Sequence, residues 1–190
     1  IERRRMAGAY GSVTLGYRDA FYLSFTGRND WSSTLNKNNR SFFYPSVAFS
    51  ALITEAVKLP KAVSFWKVRA SWAKVGFDQS TVYMLQDTYL FNTYWDGNAA
   101  FTPPTTIIDP NIKPYFTSSF EVGTDLRFFG SRLRFDFSYY RTYDEGQIQK
   151  VDINQSSGYE EMLTNGNDYR REGYELMVGA TPIKTKDWKW

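Results

Sequence analysis

The chain contains no cysteine and no histidine. Without cysteine it has neither a disulfide framework nor a thiolate zinc site, although this absence is compatible with any compartment. Without histidine it has no imidazole metal ligand and no histidine-based catalytic triad. Enzymes that depend on either residue type are therefore excluded.

Long hydrophobic runs are also absent. The longest uncharged stretch worth testing, SFFYPSVAFSALIT, contains Pro45 and several hydroxyl groups. It falls short of the roughly 18 apolar residues of a membrane helix, so a helical membrane protein is excluded. The first residues, IERRRM, lack the apolar segment of a signal peptide, and we expect no targeting signal there.

A strong charge bias is missing as well. The net charge is +3, and 23 Lys and Arg residues are interspersed with 20 Asp and Glu residues. The one basic run, Arg3-Arg4-Arg5, is more typical of a solvated strand end than of a phosphate-binding patch. We therefore predict no nucleic-acid partner.

The chain is rich in strictly alternating segments. In SSFEVGTDLRFFGSRLRFDFSYY (118–140), apolar side chains occupy every second position and charged ones stand between them. Successive side chains of a strand point to opposite faces, so this stretch predicts a hairpin with one apolar and one charged face. The alternating segments are 7–17, 20–28, 46–54, 65–75, 119–129, 132–143 and 172–182, and Trp188 is a candidate start of an eighth.

The connections between these segments alternate between short and long. The links 18–19, 55–64, 130–131 and 183–187 are the shorter ones, whereas 29–45, 76–118 and 144–171 are long. In an antiparallel up-and-down sheet, all long loops then lie at one end, which is typical of a transmembrane β-barrel. Lys74 and Arg141, charges on the apolar faces, fall near that end, where they reach the headgroups.

The segments span about 9 to 12 residues, the length that a tilted strand needs to cross a bilayer. A soluble β-sandwich explains the alternation equally well but the placement of charges and aromatic residues less well. The sequence thus favours an all-β membrane barrel. The alternative is a secreted soluble β-sandwich that binds carbohydrate.

Two adjacent acid pairs and two Asp/Asn/Gly segments are the candidates for catalytic or metal-binding chemistry. Asp144-Glu145 and Glu160-Glu161 are adjacent acids that point to opposite faces on a strand, which does not suit a glycosidase pair. Asp96-Gly97-Asn98 and the segment 165–168 hint at structural calcium in outer loops, but are more typical of turns. We predict no catalytic residue, no resident metal and no cofactor, and thus no enzyme.

One segment carries a family resemblance. GRNDWSSTLNKNNRSFFYPSV (27–47) resembles the R-x-D-G-S-S-x-F-x-x-x-N-R-x-x-x-F-P-S signature of SusC/RagA-type TonB-dependent transporters of Bacteroidota. Trp31 replaces the usual glycine and Leu35 the usual phenylalanine. The matching residues are Arg28, Asp30, Ser32, Ser33, Asn39, Arg40, Tyr44, Pro45 and Ser46.

Three further motifs of that family follow in order. FWKVRASWAKVGFD is similar to L-K-L-R-A-S-Y-G-x-x-G-N, although Phe77-Asp78 replaces its usual ending. The segment 109–148 is similar to the family's next motif, with Tyr115 in place of glutamate, and 165–190 is similar to the one after that. The resemblance therefore covers nearly the whole chain.

The resemblance implies active import through the outer membrane. Members of this family have a 22-stranded barrel, an internal plug and a SusD-like lipoprotein lid, and they import glycans or peptides with energy relayed by TonB. On this basis residues 1–190 are about seven to eight strands of the barrel domain, facing outer-membrane lipid. The plug, the segment that contacts TonB and the remaining strands are absent from this chain.

Aromatic residues crowd one predicted outer loop. We predict that Tyr89, Phe91, Tyr94, Trp95 and Asp96 contact the ligand or the lid, because exposed rings stack on sugar faces or seat a partner protein. The alternative is that these rings pack the long loop against its neighbours.

Overall fold

In the computed structural model, which describes residues 3–78, 84–86, 88–183 and 186, nearly all regular structure is β-strand. The strands are β1 (Met6–Tyr17), β2 (Phe21–Ser32), β3 (Ser41–Leu52), β4 (Val63–Phe77), β5 (Leu90–Trp95), β6 (Asn98–Thr102), β7 (Thr106–Ile108), β8 (Tyr115–Phe128), β9 (Leu133–Glu145), β10 (Gln147–Asp152), β11 (Glu161–Gly166) and β12 (Tyr169–Ala180). A short helix, α1 (Ile53–Ala56), follows β3, and 3₁₀ turns lie at Lys37–Asn39 and Gln155–Ser157.

The long strands form one sheet in the order β1-β2-β3-β4-β8-β9-β12. Every neighbouring pair is antiparallel, so the sheet follows the chain up and down. The seven strands predicted from the alternating segments are confirmed, although β2 continues to Ser32 and β3 begins at Ser41, inside the predicted loop 29–45. Trp188, the candidate start of an eighth strand, lies outside the described residues.

One face of this sheet is apolar across its whole width. A single row in register crosses all seven strands and contains Leu15, Leu23, Phe49, Ala70, Val122, Tyr139 and Tyr174. Many side chains on this face are exposed, including Leu176 at 67% and Val13 at 58%. Exposed apolar surface on this scale marks contact with a partner or with lipid.

The soluble β-sandwich is wrong as an alternative. A sandwich buries its apolar face against a second sheet, whereas no other sheet within the described residues covers this one. Charges appear on the apolar face only toward one end of it. There Arg141 lies opposite Glu172, and Lys74 lies one step further out. The alternation did not single out Glu172. We call the end with these charges the outer end of the sheet.

The opposite face is polar. One row in register contains Ser12, Thr26, Ser46, Ala73, Ser119, Thr142 and Arg171. Arg69 pairs with Asp136 at 2.9 Å and with Glu121 at 3.3 Å, so charges on this face join strands. A Cβ at Gly123 would lie 2.8 Å from the Arg69 guanidinium carbon, and glycine there leaves room for this ion pair.

The two ends of the sheet differ. At one end the strands are joined by tight turns at Arg18-Asp19 and at Phe129-Gly130-Ser131, all with positive φ, and by the short link that contains α1. At the outer end the β4–β8 and β9–β12 connections are long, as predicted, and they hold strands of their own, whereas the predicted long loop 29–45 is reduced to residues 33–40 because β2 and β3 extend into it. Strands β5 and β6 form a separate hairpin, and β10, β11 and β7 form a three-stranded sheet in which β7 runs parallel to β11.

A small core explains why these outer connections are ordered. Ile112 and Leu163 are almost completely buried, and the backbone N–H of Asp109 donates to the carbonyl of Leu163. No helix in the described part of the chain is long and apolar enough to cross a membrane.

Candidate functional site at the outer end of the sheet

The outer end of β2 carries a buried carboxylate, Asp30, with 1% of its surface exposed. Arg28 donates from Nε to one Asp30 oxygen at 2.8 Å, and the Tyr44 hydroxyl donates to the other at 2.6 Å. On β1, a Cβ at Gly8 would lie 2.4 Å from this carboxylate, so glycine is required beside it. Both Asp30 oxygens are thus occupied by residues of the same sequence motif, which ties β2 to β3.

A second buried carboxylate, Asp78, lies just beyond β4. It accepts hydrogen bonds from Arg4 at 2.7 and 2.9 Å, from Thr34 at 2.9 Å and from the Ser32 hydroxyl. Burial opposes ionisation of Asp78, but the hydrogen bonds from Ser32, Thr34 and Arg4 outweigh it and hold its pKa below the ordinary value. Arg4 is therefore an ion-pair partner, and the expectation that the basic run is simply solvated is wrong for this residue.

The loop between β2 and β3 is anchored on its other side. Asn36 donates to the carbonyl of Pro110 at 2.7 Å and Asn39 to that of Ile112 at 2.8 Å. The Ser33 N–H donates to the carbonyl of Arg5, whose own N–H donates to the Ser33 hydroxyl. Arg40 donates to the carbonyl of Leu35, a buried residue. Leu35 fills the position where the family usually has phenylalanine.

The remaining motif residues lie where β3 separates from β4. Strand β3 pairs with β2 over Ser41–Ala51 but with β4 only from Ser46. Pro45, which has no N–H to donate, stands directly before the first pair, and the Ser46 and Thr26 hydroxyls bond to each other. Further toward the outer end of the sheet, Phe42 inserts into the gap between β3 and β4, close to Gly76 and to the ring of Phe116. We call this gap the β3–β4 seam.

The nine motif residues are thus brought together as a scaffold. Sequence reasoning missed its other half: Asp78, Thr34, Asn36 and the backbone carbonyls of Pro110 and Ile112. One feature of the sequence distinguished Asp78: it stands where the related motif has a different ending. Its partners could not be predicted, because alternation along a strand carries no information about loop residues 40 or more positions away.

The aromatic residues form an exposed hairpin. Tyr89 precedes β5, which pairs with β6 around a two-residue turn at Asp96-Gly97, both with positive φ. Phe91 contacts Tyr94 and Phe101 edge to face, with ring centroids 5.3 and 6.0 Å apart. The exposed fractions remain high: Tyr89 71%, Phe91 54%, Tyr94 69% and Trp95 78%. We call this unit the aromatic hairpin.

One acid of each adjacent acid pair is bound to a neighbouring cation. Asp144 accepts from Arg171 and Thr117, both at 2.6 Å, while Glu161 accepts from Lys150 at 2.6 Å. Across the described residues, no group of three or more acidic side chains is placed to hold a metal ion. In the first candidate calcium segment, Asp96-Gly97 forms a hairpin turn. In the second, the Asn165 side-chain amide donates to the carbonyls of Lys113 and Gly146.

The chain matches a known protein family along its whole length. The family model described as "TonB dependent receptor-like, beta-barrel" matches residues 1–190. The chain belongs to this family. It is therefore part of an outer-membrane β-barrel of a transporter family, and its apolar face lies against lipid.

Relatives of the TonB-dependent receptor family match along the whole chain. TonB-dependent receptor P3 of Formosa agariphila is 24% identical over 194 residues, which is 100% of this chain and 19% of the relative. TonB-dependent receptor SusC of Bacteroides thetaiotaomicron is 24% identical over 198 residues, which is 99% of this chain and 20% of the relative. The chain thus spans about a fifth of the length of these curated relatives.

Solved structures agree on the fold. The RagAB peptide importer in its "open-open" state matches with a TM-score of 0.87 and 22% identity, covering 98% of this chain and 20% of that one. The siderophore receptor PirA from Pseudomonas aeruginosa matches with a TM-score of 0.62 and 15% identity, covering 98% and 33%. The barrel predicted from alternation and loop lengths is confirmed.

Proposed function

We propose that the protein is a TonB-dependent importer that takes up a glycan or peptide nutrient across the outer membrane together with a SusD-like lipoprotein. The observation that carries this proposal is the membership of the whole chain in the TonB-dependent receptor barrel family, with relatives that include SusC. The similarity to a RagAB peptide importer supports the same fold.

In this proposal the chain forms one part of the transporter. Residues 1–190 supply wall strands and outer loops, while a plug, the segment that contacts TonB and the remaining strands belong to other parts of the parent chain. Within the described residues, β1 and β12 each have one edge without a neighbouring strand, which supports this division, because an unpaired strand edge in lipid leaves backbone groups without partners.

Import is tested by measuring uptake of radiolabelled oligosaccharides and peptides in the source cells. We expect deletion of the gene to abolish uptake of one class of these compounds, and disruption of TonB to abolish the same uptake, because the transport energy is relayed from the inner membrane. Uptake that survives the loss of TonB but not the loss of the gene would contradict active import.

The aromatic hairpin is the proposed contact for the ligand or the lid. Its rings are exposed on a unit that pairs with no other strand among the described residues, and large exposed rings are the side chains that most often dominate binding energy. The rings contact one another but leave most of their surface free, which supports binding rather than packing of the loop.

We expect the double variant Tyr94→Ala, Trp95→Ala to weaken binding of the lid or the substrate about tenfold or more, since hot-spot rings contribute roughly 2 kcal/mol each. Co-purification of the lipoprotein and titration of the substrate on the full-length transporter measure this. Phe129→Ala is the matched control, because this ring is 62% exposed but lies at the opposite end of the sheet. Unchanged binding in the double variant would show that the hairpin is not the contact.

A further inference from the structure

A cavity of about 320 Å³ opens at the outer end of the sheet, next to the β2–β3 loop. It lies between the segment that precedes β1 and this loop, and the described residues that line it include Arg3, Ser33, Thr34, Leu35, Lys37 and Arg40. The cavity is separate from the aromatic hairpin, none of whose residues lines it.

Among the described residues, the charges in the lining are all of one sign. They are Arg3, Lys37 and Arg40, and no described aspartate or glutamate lines the cavity. Within the described part of the chain, none of these three side chains forms an ion pair with a carboxylate. Arg40 makes one hydrogen bond, from Nε to the carbonyl of Leu35 at 3.2 Å.

The neighbouring residues show that this imbalance is local. Arg4, one position after Arg3, is paired with Asp78, and most other cations at the outer end of the sheet have an acid partner as well. Like charges that line one cavity repel one another, and an anion placed between them removes this repulsion.

The cavity wall is held in place by the scaffold. Thr34 and Leu35 are buried, Ser33 is bonded to the backbone of Arg5 in both directions, and Asn36 is fixed to the carbonyl of Pro110. Lys37 and Arg40 therefore extend from an ordered loop, and Arg3 lies two residues before Arg5, which is bonded to that loop, so binding an anion requires little reorganisation of the loop backbone.

We infer that this cavity binds an oxyanion group, a carboxylate, sulfate or phosphate, carried by the transported substrate. The inference rests on the proposed function and gives it a substrate class: an acidic oligosaccharide or an acidic peptide. The same chemistry is present in the phosphates of lipopolysaccharide in the outer leaflet, which is the alternative source of the oxyanion.

The test measures binding to the purified full-length transporter at low and high salt. The probes are pentagalacturonate and its neutral counterpart maltopentaose, a five-residue glutamate peptide and its glutamine counterpart, and purified lipopolysaccharide. The test variant is Arg3→Gln, Lys37→Gln, which keeps the Arg40 hydrogen bond to the loop. Lys58→Gln, an exposed lysine in the link that contains α1, is the control.

We expect one acidic probe to bind in preference to its neutral counterpart, and the test variant to lose at least tenfold in affinity at low salt. High salt weakens the wild-type affinity by screening, and the control binds like the wild type. The change in gel mobility on heating must be that of the wild type in both variants, so that a folding defect is not mistaken for lost binding.

Two results would overturn the inference: equal binding of acidic and neutral probes, or binding of lipopolysaccharide alone that the test variant loses. Failure of the proposed function is detected by a different measurement, the TonB-dependent uptake in cells. That uptake is lost or retained regardless of the charge of the bound compound. Uptake that depends on TonB and is identical in the test variant leaves the importer intact and rejects the oxyanion site.

Discussion

Arginine at position 176 destabilises the inserted barrel by about 2–4 kcal/mol, whereas arginine at position 177 costs at most about 1 kcal/mol. Leu176 and Met177 are neighbours on β12, are both 67% exposed and have similar sizes. They differ in the face they occupy: Leu176 is in register with Phe137 on the apolar face, and Met177 with Asp136 on the polar face. Lipid cannot solvate the guanidinium at 176, whereas at 177 the guanidinium lies on the polar face, in register with Asp136.

The pair is measured on the full-length protein folded into bilayers, by the denaturant concentration at which half of the barrel unfolds. The fraction that changes gel mobility on heating gives an independent estimate of insertion. Equal destabilisation by Leu176→Arg and Met177→Arg would mean that the two faces do not differ in their surroundings, which would contradict the assignment of the apolar face to lipid.

Asp78→Ala lowers the free energy of unfolding by about 2 kcal/mol or more. The substitution leaves Arg4, Ser32 and Thr34 without their shared acceptor, and hydrogen bonds to a charged group contribute about 1.5–3 kcal/mol each before solvent exposure of Arg4 is discounted. Chemical denaturation of the full-length protein measures the loss. Asp152→Ala, at an exposed aspartate at the end of β10, is the control and is expected to change little.

The same carboxylate makes stability depend on pH. The pKa of Asp78 is lower in the folded protein than in the unfolded chain, so its contribution is complete above the unfolded value near 4 and disappears as the pH falls through the folded value. The difference in stability between wild type and Asp78→Ala should therefore shrink on acidification below about pH 4. A difference that is constant from pH 7 to pH 3 would show that the ionised form of Asp78 is not what matters.

The wall of the barrel could be predicted from the sequence because its information is local. Alternation places Phe120, Val122 and Leu126 on one face and Glu121 and Asp125 on the other, and a bilayer selects for this period along every strand. Strand number, order and the end with the long loops follow from counting such segments and the links between them.

The outer structures could not be predicted in the same way. The pairing of β7 with β11 joins residues more than 50 positions apart and in parallel, and short strands in loops lack a bilayer to impose a period. Asp78 and Thr34 are ordinary polar residues until folding brings them to one point. The family motif marked the loop as important, but its residues gave no indication of which segments they would bond.

The β3–β4 seam has a mechanical consequence. A barrel wall is stiff where neighbouring strands share backbone hydrogen bonds, and stretching it there breaks a ladder. Between β3 and β4 the ladder stops at Ser46 and Ala73, and beyond it Phe42 packs against Gly76 and Phe116 instead. Across this gap the rim is held by side chains instead, namely by the packing of Phe42 and by the hydrogen bonds that Ser32 and Thr34 donate to Asp78 just beyond β4, so the rim at this line depends on these contacts while the membrane-spanning wall depends on its ladder.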